Sequence, residues 1–469
     1  MLDIRGKRVL LIGAARSGLA AMKFLANQGA QKILLNEYRA IEELDESENL
    51  LREIEKYPQI SLVDRGHPLK LLDEPFDMII KSPGVPSHLP LLQKAKFLQI
   101  PVLTEVEIAY HCIKAPIIGI TGTNGKTTTT MLVGEIFKAA GGGNVFLAGN
   151  IGVPMCSFAE ETGATDIVVA ELSSFQLESI QSFRSHIAVI LNITEDHLDY
   201  HRSFESYLEA KARILENQQS MDFAIFNADS PEVLALAERA RGRVLLFSRD
   251  KELESGVFVN NGQIFIRNAG YEFSVCPVDK VAIRGPHNLE NALAATAAAW
   301  AGGIAPQIIG YALQRFKGVE HRLEFVAEIN GIKFVNDSKG TNPEATTKAL
   351  QSFPGKKILI AGGKDKGGSF KQLARVIKDE VSYLILLGET AGKISDSVKE
   401  AGFNNYVIVK DMADAVKEAY NRAHPQEAVL LSPACASWDM FKSFEERGNL
   451  FKKLVHELRG VPTRNGEDS

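Results

Sequence analysis

The stretch GITGTNGKTTTT, residues 119–130, places glycines, a lysine and a run of threonines directly behind the apolar segment Pro116-Ile117-Ile118. Gly122 and Gly125 let the backbone turn its N–H groups inward around a phosphate, with Thr123 and Asn124 between them. Lys126 adds a positive charge, Thr127 offers a hydroxyl to Mg²⁺, and the helix that follows points its positive end at the same place. The strict pattern G-x-x-x-x-G-K-[ST] asks for glycine at 120, where this chain has Ile120; the extra glycine stands one position earlier, at Gly119. A phosphate loop of this kind needs a carboxylate to hold magnesium, usually at the end of a neighbouring strand. Glu171 in TDIVVAELSSFQLE is the candidate, because Ile167 to Ala170 reads as a buried strand in which an unpaired acid is costly. Next comes IAVILNITEDHLDYH, whose apolar part, Ile187 to Leu191, empties into a polar loop with Asp196, His197, Asp199 and His201. This strand is expected to neighbour the Glu171 strand, which makes His197 a candidate for a second metal or substrate contact. Lys211, in FESYLEAKARILEN, reads as a residue of a solvated helix face.

The elements that must carry these residues are short β-branched runs alternating with helical periodicity, the pattern of sheets wrapped by helices. The fold class is therefore α/β, and the 469 residues divide into three blocks. A Rossmann-like block over 1–104 begins with strand Arg8 to Ile12, a helix around Leu19 to Ala26 and a strand Lys32 to Leu35; a later strand, Met78 to Ile80, runs into Ser82-Pro83-Gly84. A central block over 105–318 holds the phosphate loop on a parallel sheet, as in P-loop ATPases. A second Rossmann-like block over 319–469 cycles through strands at Lys333 to Val335, Lys357 to Ile360, Tyr383 to Leu387, Tyr406 to Val409 and Val429 to Leu431. Thr463 to Ser469 reads as a disordered tail.

Several function classes are disfavoured. A net charge of −5 with no basic run makes nucleic-acid binding a poor reading. Cys112, Cys156, Cys276 and Cys435 are too widely spaced for a metal pair or a disulfide framework, so reduced thiols are expected. The uncharged runs Gly141 to Ala159 and Asn291 to Gln314 are interrupted by glycine and proline and do not read as membrane spans. MLDIRGKRVLLIG lacks the features of a signal peptide, and a cytoplasmic location is expected. GAARSG, residues 13–18, followed by Glu37, imitates a dinucleotide fingerprint, yet Ala15 occupies the second glycine position and crowds the pyrophosphate approach. An NAD-linked oxidoreductase thus rests on that segment alone. A GTPase switch is disfavoured because no Asn is followed by Lys, so a guanine-reading NKxD motif is absent.

Taken together, TGTNGKTT (121–128), ELSSFQLE (171–178), NITEDHLDYH (192–201) and GPHNLENALAA (285–295) resemble the Mur ligases, which build the peptide stem of bacterial cell-wall precursors. The family's phosphate loop has glycine at the positions of Gly119 and Gly122. NDSKGTNP (336–343), GGKDKGGSF (362–370) and SPACASWDMFKSFEERG (432–448) are most similar to the family's D-glutamate-adding branch.

The resemblance implies ATP-dependent ligation of D-glutamate to UDP-N-acetylmuramoyl-L-alanine through an acyl phosphate, by a monomer. It implies that Lys126, Thr127 and Thr128 contact ATP phosphates and Mg²⁺, at two metal sites. Glu171, His197 and Lys211 become metal ligands, with Lys211 carbamylated, and these three join Lys126 as catalytic residues. Asn288 and Asn291 fall near adenine, and Arg322 and Asp337 reach the nucleotide from the third block, which is expected to close onto the second. Asn150 and Ser173 match positions near the muramoyl-alanine portion, and Lys339, Thr341, Lys366, Ser437 and Phe444 match a D-glutamate pocket. Arg16, Ser17 and Glu37 fall where the uridine diphosphate is expected. The nearest rival is a related Mur or folylpolyglutamate-type ligase using another amino acid.

Overall fold

The computed structural model describes residues 2–44, 47–352, 355–365 and 369–459. Lys366, the tail from residue 463 and the side chain of Asp199, all singled out above, lie outside the described residues. The chain forms two compact units, Met1–Phe316 and Lys317–Ser469.

The first unit holds two sheets. In the first, β1 (Arg8–Ile12), β2 (Lys32–Asn36), β3 (Ile60–Val63), β4 (Met78–Lys81) and β5 (Val102–Thr104) pair in parallel in the order β3-β2-β1-β4-β5. Val9 to Ile12 and Ile79 are fully buried, as expected for parallel strands covered on both faces. The order reverses between β1 and β4, the place where open α/β sheets form a crevice beyond their carboxyl ends. There the Ser82 hydroxyl donates to the Gly13 carbonyl at 3.2 Å. A Cβ at Gly18 would sit 1.9 Å from the same carbonyl, so only glycine lets the helix Arg16–Asn27 start this close to the strand end.

The second sheet contains β6 (Ile117–Thr121), β7 (Val145–Gly149), β8 (Ile167–Glu171), β9 (Ile187–Ile190), β10 (Phe223–Asn227), β11 (Arg243–Ser248), β12 (Gly256–Asn260), β13 (Gln263–Asn268) and β14 (Tyr271–Pro277). Its order is β14-β13-β12-β11-β10-β9-β6-β8-β7. Two expectations need correction. The sheet is mixed, because β12-β13-β14 form antiparallel hairpins. The strand before His197, β9, does not neighbour the Glu171 strand, β8: β6 lies between them and pairs with both. The phosphate-loop strand is therefore flanked by the two strands that deliver the candidate metal residues.

This arrangement also explains Gly119. It lies within β6, opposite Ala170 and Ala188, and a Cβ there would come within 2.3 Å of Ser185 Oγ and 3.1 Å of Leu172 and Ile214. It is a packing glycine rather than part of the phosphate cradle. Gly119→Ala is expected to destabilise the protein by roughly 1–3 kcal/mol through overpacking. Urea denaturation should show that loss while the KM for nucleotide stays at the parent value.

A short helix, Glu105–Tyr110, joins the two sheets and carries two buried acids. Glu107 accepts backbone N–H groups from Gln181, Ser182 and Phe183 at 2.8 to 3.0 Å. Glu105 accepts the Cys156 backbone N–H, and burial pushes its carboxyl up to about 7 from 4.5. The folded state thus holds a proton that the unfolded chain releases between pH 4.5 and 7, so this group's contribution to stability falls as pH rises through that window. Glu105→Gln keeps the acceptor and removes the ionisation. The stability difference, variant minus parent, should grow from pH 5 to pH 8 by on the order of 2–3 kcal/mol. Urea melts at the two pH values measure it.

The second unit carries β15 (Glu324–Ile329), β16 (Ile332–Asn336), β17 (Lys357–Ala361), β18 (Val381–Leu386), β19 (Tyr406–Ile408) and β20 (Ala428–Leu431), ordered β15-β16-β20-β17-β18-β19. All neighbours are parallel except the β15-β16 hairpin, which had no counterpart in the sequence reading. No helix among the described residues is long and apolar enough to cross a membrane.

Candidate active site

The loop between β6 and the helix Lys126–Ala140 is built as the glycines require. Gly122 has φ +151°, and Gly125, immediately before the helix, has φ +84° in the left-handed region. The loop is pinned from β9 by Asn192, a residue sequence reasoning passed over. The Thr123 N–H donates to the Asn192 carbonyl, and the Asn124 N–H to its side-chain oxygen, both at 2.8 Å; the Asn192 amide returns a bond to the Asn124 carbonyl at 3.1 Å. Lys126 arches back over the loop, its Nζ donating to the Gly122 and Thr123 carbonyls at 2.7 and 2.9 Å. Thr128 is buried one residue beyond Thr127.

The helix Pro286–Ala301 closes the other side. A Cβ at Gly125 would lie 2.2 Å from Asn291 Oδ1, and Thr129 donates to that same oxygen at 3.3 Å. The Asn291 amide donates to Asn288 Oδ1 at 3.3 Å, and the Asn288 amide to the Arg284 carbonyl at 2.8 Å. Beside this helix start lies a cavity of about 690 Å³ lined by Arg249, Val278, Val281, Arg284, Pro286 and Leu289.

Glu171 ends β8 almost fully buried. Its carboxylate accepts the Thr127 hydroxyl at 2.8 Å on one oxygen and the Asn150 amide at 2.9 Å on the other. Lys211 is not on a solvated face: it is 1% exposed, donates to the Gly122 carbonyl at 2.9 Å and lies 4.6 Å from the centre of the Tyr207 ring. Burial, and then the nearby Lys126 cation, hold its ammonium well below the usual lysine range. Tyr207, also missed, hydrogen-bonds Thr123 Oγ1 at 3.2 Å, so one helix turn supports the loop twice. His197 is exposed and adopts φ +52°; its ring packs edge-on against Phe175 at 5.0 Å and lies 6.3 Å from Tyr207.

The donor set can be tested against a divalent cation. A threonine hydroxyl and a buried carboxylate suit Mg²⁺. Among the described residues, however, no three His, Cys, Asp or Glu side chains form a ready-made metal cluster. Lys211 presents a buried amine where a further anion would be needed. The residues fit the metal if that amine is converted to an anion.

At the first sheet's crevice, Glu37 is buried and committed to backbone. One oxygen accepts the Ala14 N–H at 2.8 Å, the other the Tyr38 and Arg39 N–H groups at 3.0 and 3.2 Å. Arg16 is exposed and donates to the Gly152 carbonyl, and Ser17 is half-buried in the first helical turn. Ser173 caps the helix Ser174–Leu177 through a reciprocal bond pair with Gln176.

In the second unit, Asp337 is buried, accepts the Ser432 hydroxyl at 2.6 Å and the Leu323 N–H at 3.2 Å, and is raised to about 6 by burial. Arg322 is exposed. Lys339 Nζ lies 5.8 Å from the Phe444 ring, which is half-buried at the start of the helix Phe444–Glu457 and 6.0 Å from His321. The Thr341 N–H donates to the Lys339 carbonyl, and Ser437 is buried. Arg447, one turn beyond Phe444, ties these loops together: its guanidinium donates to Ser338 Oγ, the Ser338 carbonyl and the Cys435 carbonyl at 3.0, 2.8 and 3.2 Å.

The model of the Mur ligase middle domain matches residues 120–299, and that of the Mur ligase glutamate ligase domain matches residues 321–435. The chain is 47% identical to the UDP-N-acetylmuramoylalanine–D-glutamate ligase of Pelotomaculum thermopropionicum, covering 97% of this chain and 99% of that one. It is 46% identical to the enzyme of the same name from Clostridioides difficile, covering 98% and 100%. Among solved structures, the UDP-N-acetylmuramate–alanine ligase of Thermotoga maritima superposes with a TM-score of 0.58 at 19% identity, over 96% of this chain and 99% of that one. The MurF ligase of Thermotoga maritima, solved with ADP, does so with 0.56 at 17% identity, over 97% and 100%. These two structures share the fold, the relatives share nearly half of all residues along the whole length, and the chain belongs to the Mur ligase family.

Proposed function

We propose that this protein is the ATP-dependent ligase that joins D-glutamate to UDP-N-acetylmuramoyl-L-alanine in the synthesis of peptidoglycan precursors. Full-length likeness to ligases of that name carries the substrate assignment. The packing of Lys126, Thr127, Glu171 and Lys211 around one glycine loop supports the chemistry.

A carboxylate cannot expel oxide, so amide formation at neutral pH requires a better leaving group. The substrate carboxylate attacks the γ-phosphorus of ATP, the bond to the β-phosphate oxygen breaks, and ADP leaves. The D-glutamate amine then attacks the acyl phosphate, loses a proton, and expels inorganic phosphate as the amide forms. The positive end of the helix Lys126–Ala140 and the Lys126 ammonium would stabilise the charge spread over the transferring group. Thr127, Glu171, His197 and carbamylated Lys211 would hold Mg²⁺, which supplies neutralisation of that charge when bound. Asn288 and Asn291 would contact adenine, and Arg322 and Asp337 are assigned to the nucleotide by their match to the family's motifs. Asn150 and Ser173 flank the muramoyl-alanine portion. Lys339 and Lys366 match the two carboxylates of D-glutamate, with Thr341, Ser437 and Phe444 around them. Arg16 and Ser17 meet the uridine diphosphate at a helix amino terminus, and Glu37 holds the Gly13-Ala14 loop in shape for it.

ADP release in the presence of UDP-N-acetylmuramoyl-L-alanine, scanned across D- and L-amino acids, tests the proposal. D-glutamate alone should support turnover with stoichiometric amide product. Equal ADP release without any amino acid, or turnover with a different one, would overturn it.

A further inference from the structure

A partly buried polar network, centred on the buried Lys81, joins the two sheets of the first unit and belongs to none of the ligand contacts above. Lys81 is the last residue of β4, next to the Ser82 that shapes the first crevice, and is 1% exposed. Its Nζ donates to the Tyr200 hydroxyl at 3.2 Å and to the Val85 carbonyl at 3.3 Å, with Glu178 Oε2 at 3.8 Å. The Tyr200 hydroxyl donates to Glu178 Oε2 at 2.8 Å and accepts the Ser87 N–H at 3.2 Å; the Ser87 hydroxyl also donates to that carboxylate, at 2.8 Å. A buried ammonium held by neutral oxygens and one carboxylate beyond hydrogen-bond reach is a poor stabilising device. It does fix position.

What it fixes is the His197 loop. Tyr200 lies three residues beyond His197, and Phe175 packs against both rings, with centroids 4.5 Å from Tyr200 and 5.0 Å from His197. His201 stacks on the same Phe175 ring and hydrogen-bonds Ser174 Oγ at 2.9 Å. An unbroken set of contacts therefore runs from the Ser82-Pro83-Gly84 loop through Lys81, Tyr200 and Phe175 to His197.

We infer that Lys81, Tyr200 and Glu178 are positioning residues that couple occupancy of the first crevice by the nucleotide-sugar to the placement of His197 beside the phosphate loop. The inference rests on the ligase reading. Tyr200→Phe removes one hydroxyl and keeps the ring; Lys81→Met keeps the length and removes the charge. In the parent, UDP-N-acetylmuramoyl-L-alanine should tighten binding of a non-hydrolysable ATP analogue, and either variant should reduce that enhancement and kcat by about tenfold. The KM for the nucleotide-sugar should stay within a factor of about two, and the double variant should be no worse than the singles, because both break the same link. A merely structural role would lower the melting temperature without touching the linkage.

Variants with parental kcat and parental linkage, or with losses that multiply, would overturn the inference. Should Lys81→Met fail to fold, Tyr200→Phe with Glu178→Gln decides the same question. A parent protein that binds both ligands without forming amide sinks the ligase reading, while the binding linkage still judges the coupling.

Discussion

Lys211→Met should abolish turnover, lowering kcat by about 10³-fold or more, without unfolding the protein. The amine is buried, donates to one carbonyl oxygen, and shares its surroundings with the Lys126 cation. An ammonium in this position would oppose a divalent cation held beside Thr127 and Glu171. Burial favours the neutral amine, which is the form that reacts with CO₂: a C–N bond forms, a proton leaves, and a carbamate replaces the cation. Such an anion would supply a ligand beside Thr127 and Glu171, with the nearby Lys126 cation to balance it. Methionine fills the volume and removes a poorly compensated charge, so the melting temperature of the variant should equal or exceed the parent's. ¹³C NMR with labelled bicarbonate should show a carbamate resonance in the parent that the variant lacks. Retention of a third of parental turnover by Lys211→Met, or no such resonance in the active parent, would remove carbamylation from the mechanism.

Lys211 also marks where sequence reading stopped. The phosphate loop was legible because glycine positions and the strand-to-helix transition are local, and the structure keeps both. In the two Rossmann-like sheets β1, β2, β4, β16, β17, β18, β19 and β20 were legible as apolar runs, whereas β3, β5 and β15 were not anticipated. Lys211 was assigned to water because lysines on amphipathic helices nearly always are. Yet Tyr207, Ala210, Lys211 and Ile214 are all buried, at i, i+3, i+4 and i+7, so the helical period itself placed the lysine on the inner face. The expected parallel central sheet left out Asn261-Gly262 and Ala269-Gly270, two-residue turns with positive φ at every position that build the antiparallel β12-β13-β14 hairpins at its edge. Strand order is a different matter. That β6 lies between β8 and β9 depends on crossover connections, which no local pattern encodes. Asn192 and Arg447 were missed for a related reason: their partners are loops distant in sequence, and nothing about an asparagine or arginine alone reveals them.

Glu171→Gln should separate the catalytic role of its carboxylate from its structural one. In the structure both oxygens are occupied, by the Thr127 hydroxyl and the Asn150 amide. Glutamine can preserve that pattern: its carbonyl oxygen accepts from Asn150, and its amide donates to Thr127, whose hydroxyl turns to accept. The geometry therefore survives, and replacing a buried ion by an isosteric neutral group should change stability by no more than about 1 kcal/mol. What disappears is the negative charge. If Glu171 serves only to hold Thr127 and Asn150, the variant keeps most of its activity. If it is a magnesium ligand, kcat falls by about 10³-fold and the Mg²⁺ concentration for half-maximal turnover rises at least about tenfold, with the KM for D-glutamate unchanged. Thermal melting and an ADP-release assay across a Mg²⁺ series distinguish the two. A glutamine variant within about tenfold of parental kcat and with the parental Mg²⁺ requirement would move Glu171 from the metal site to the scaffold. The Thr127–Glu171–Asn150 contacts would then account for its burial without any role in phosphoryl transfer.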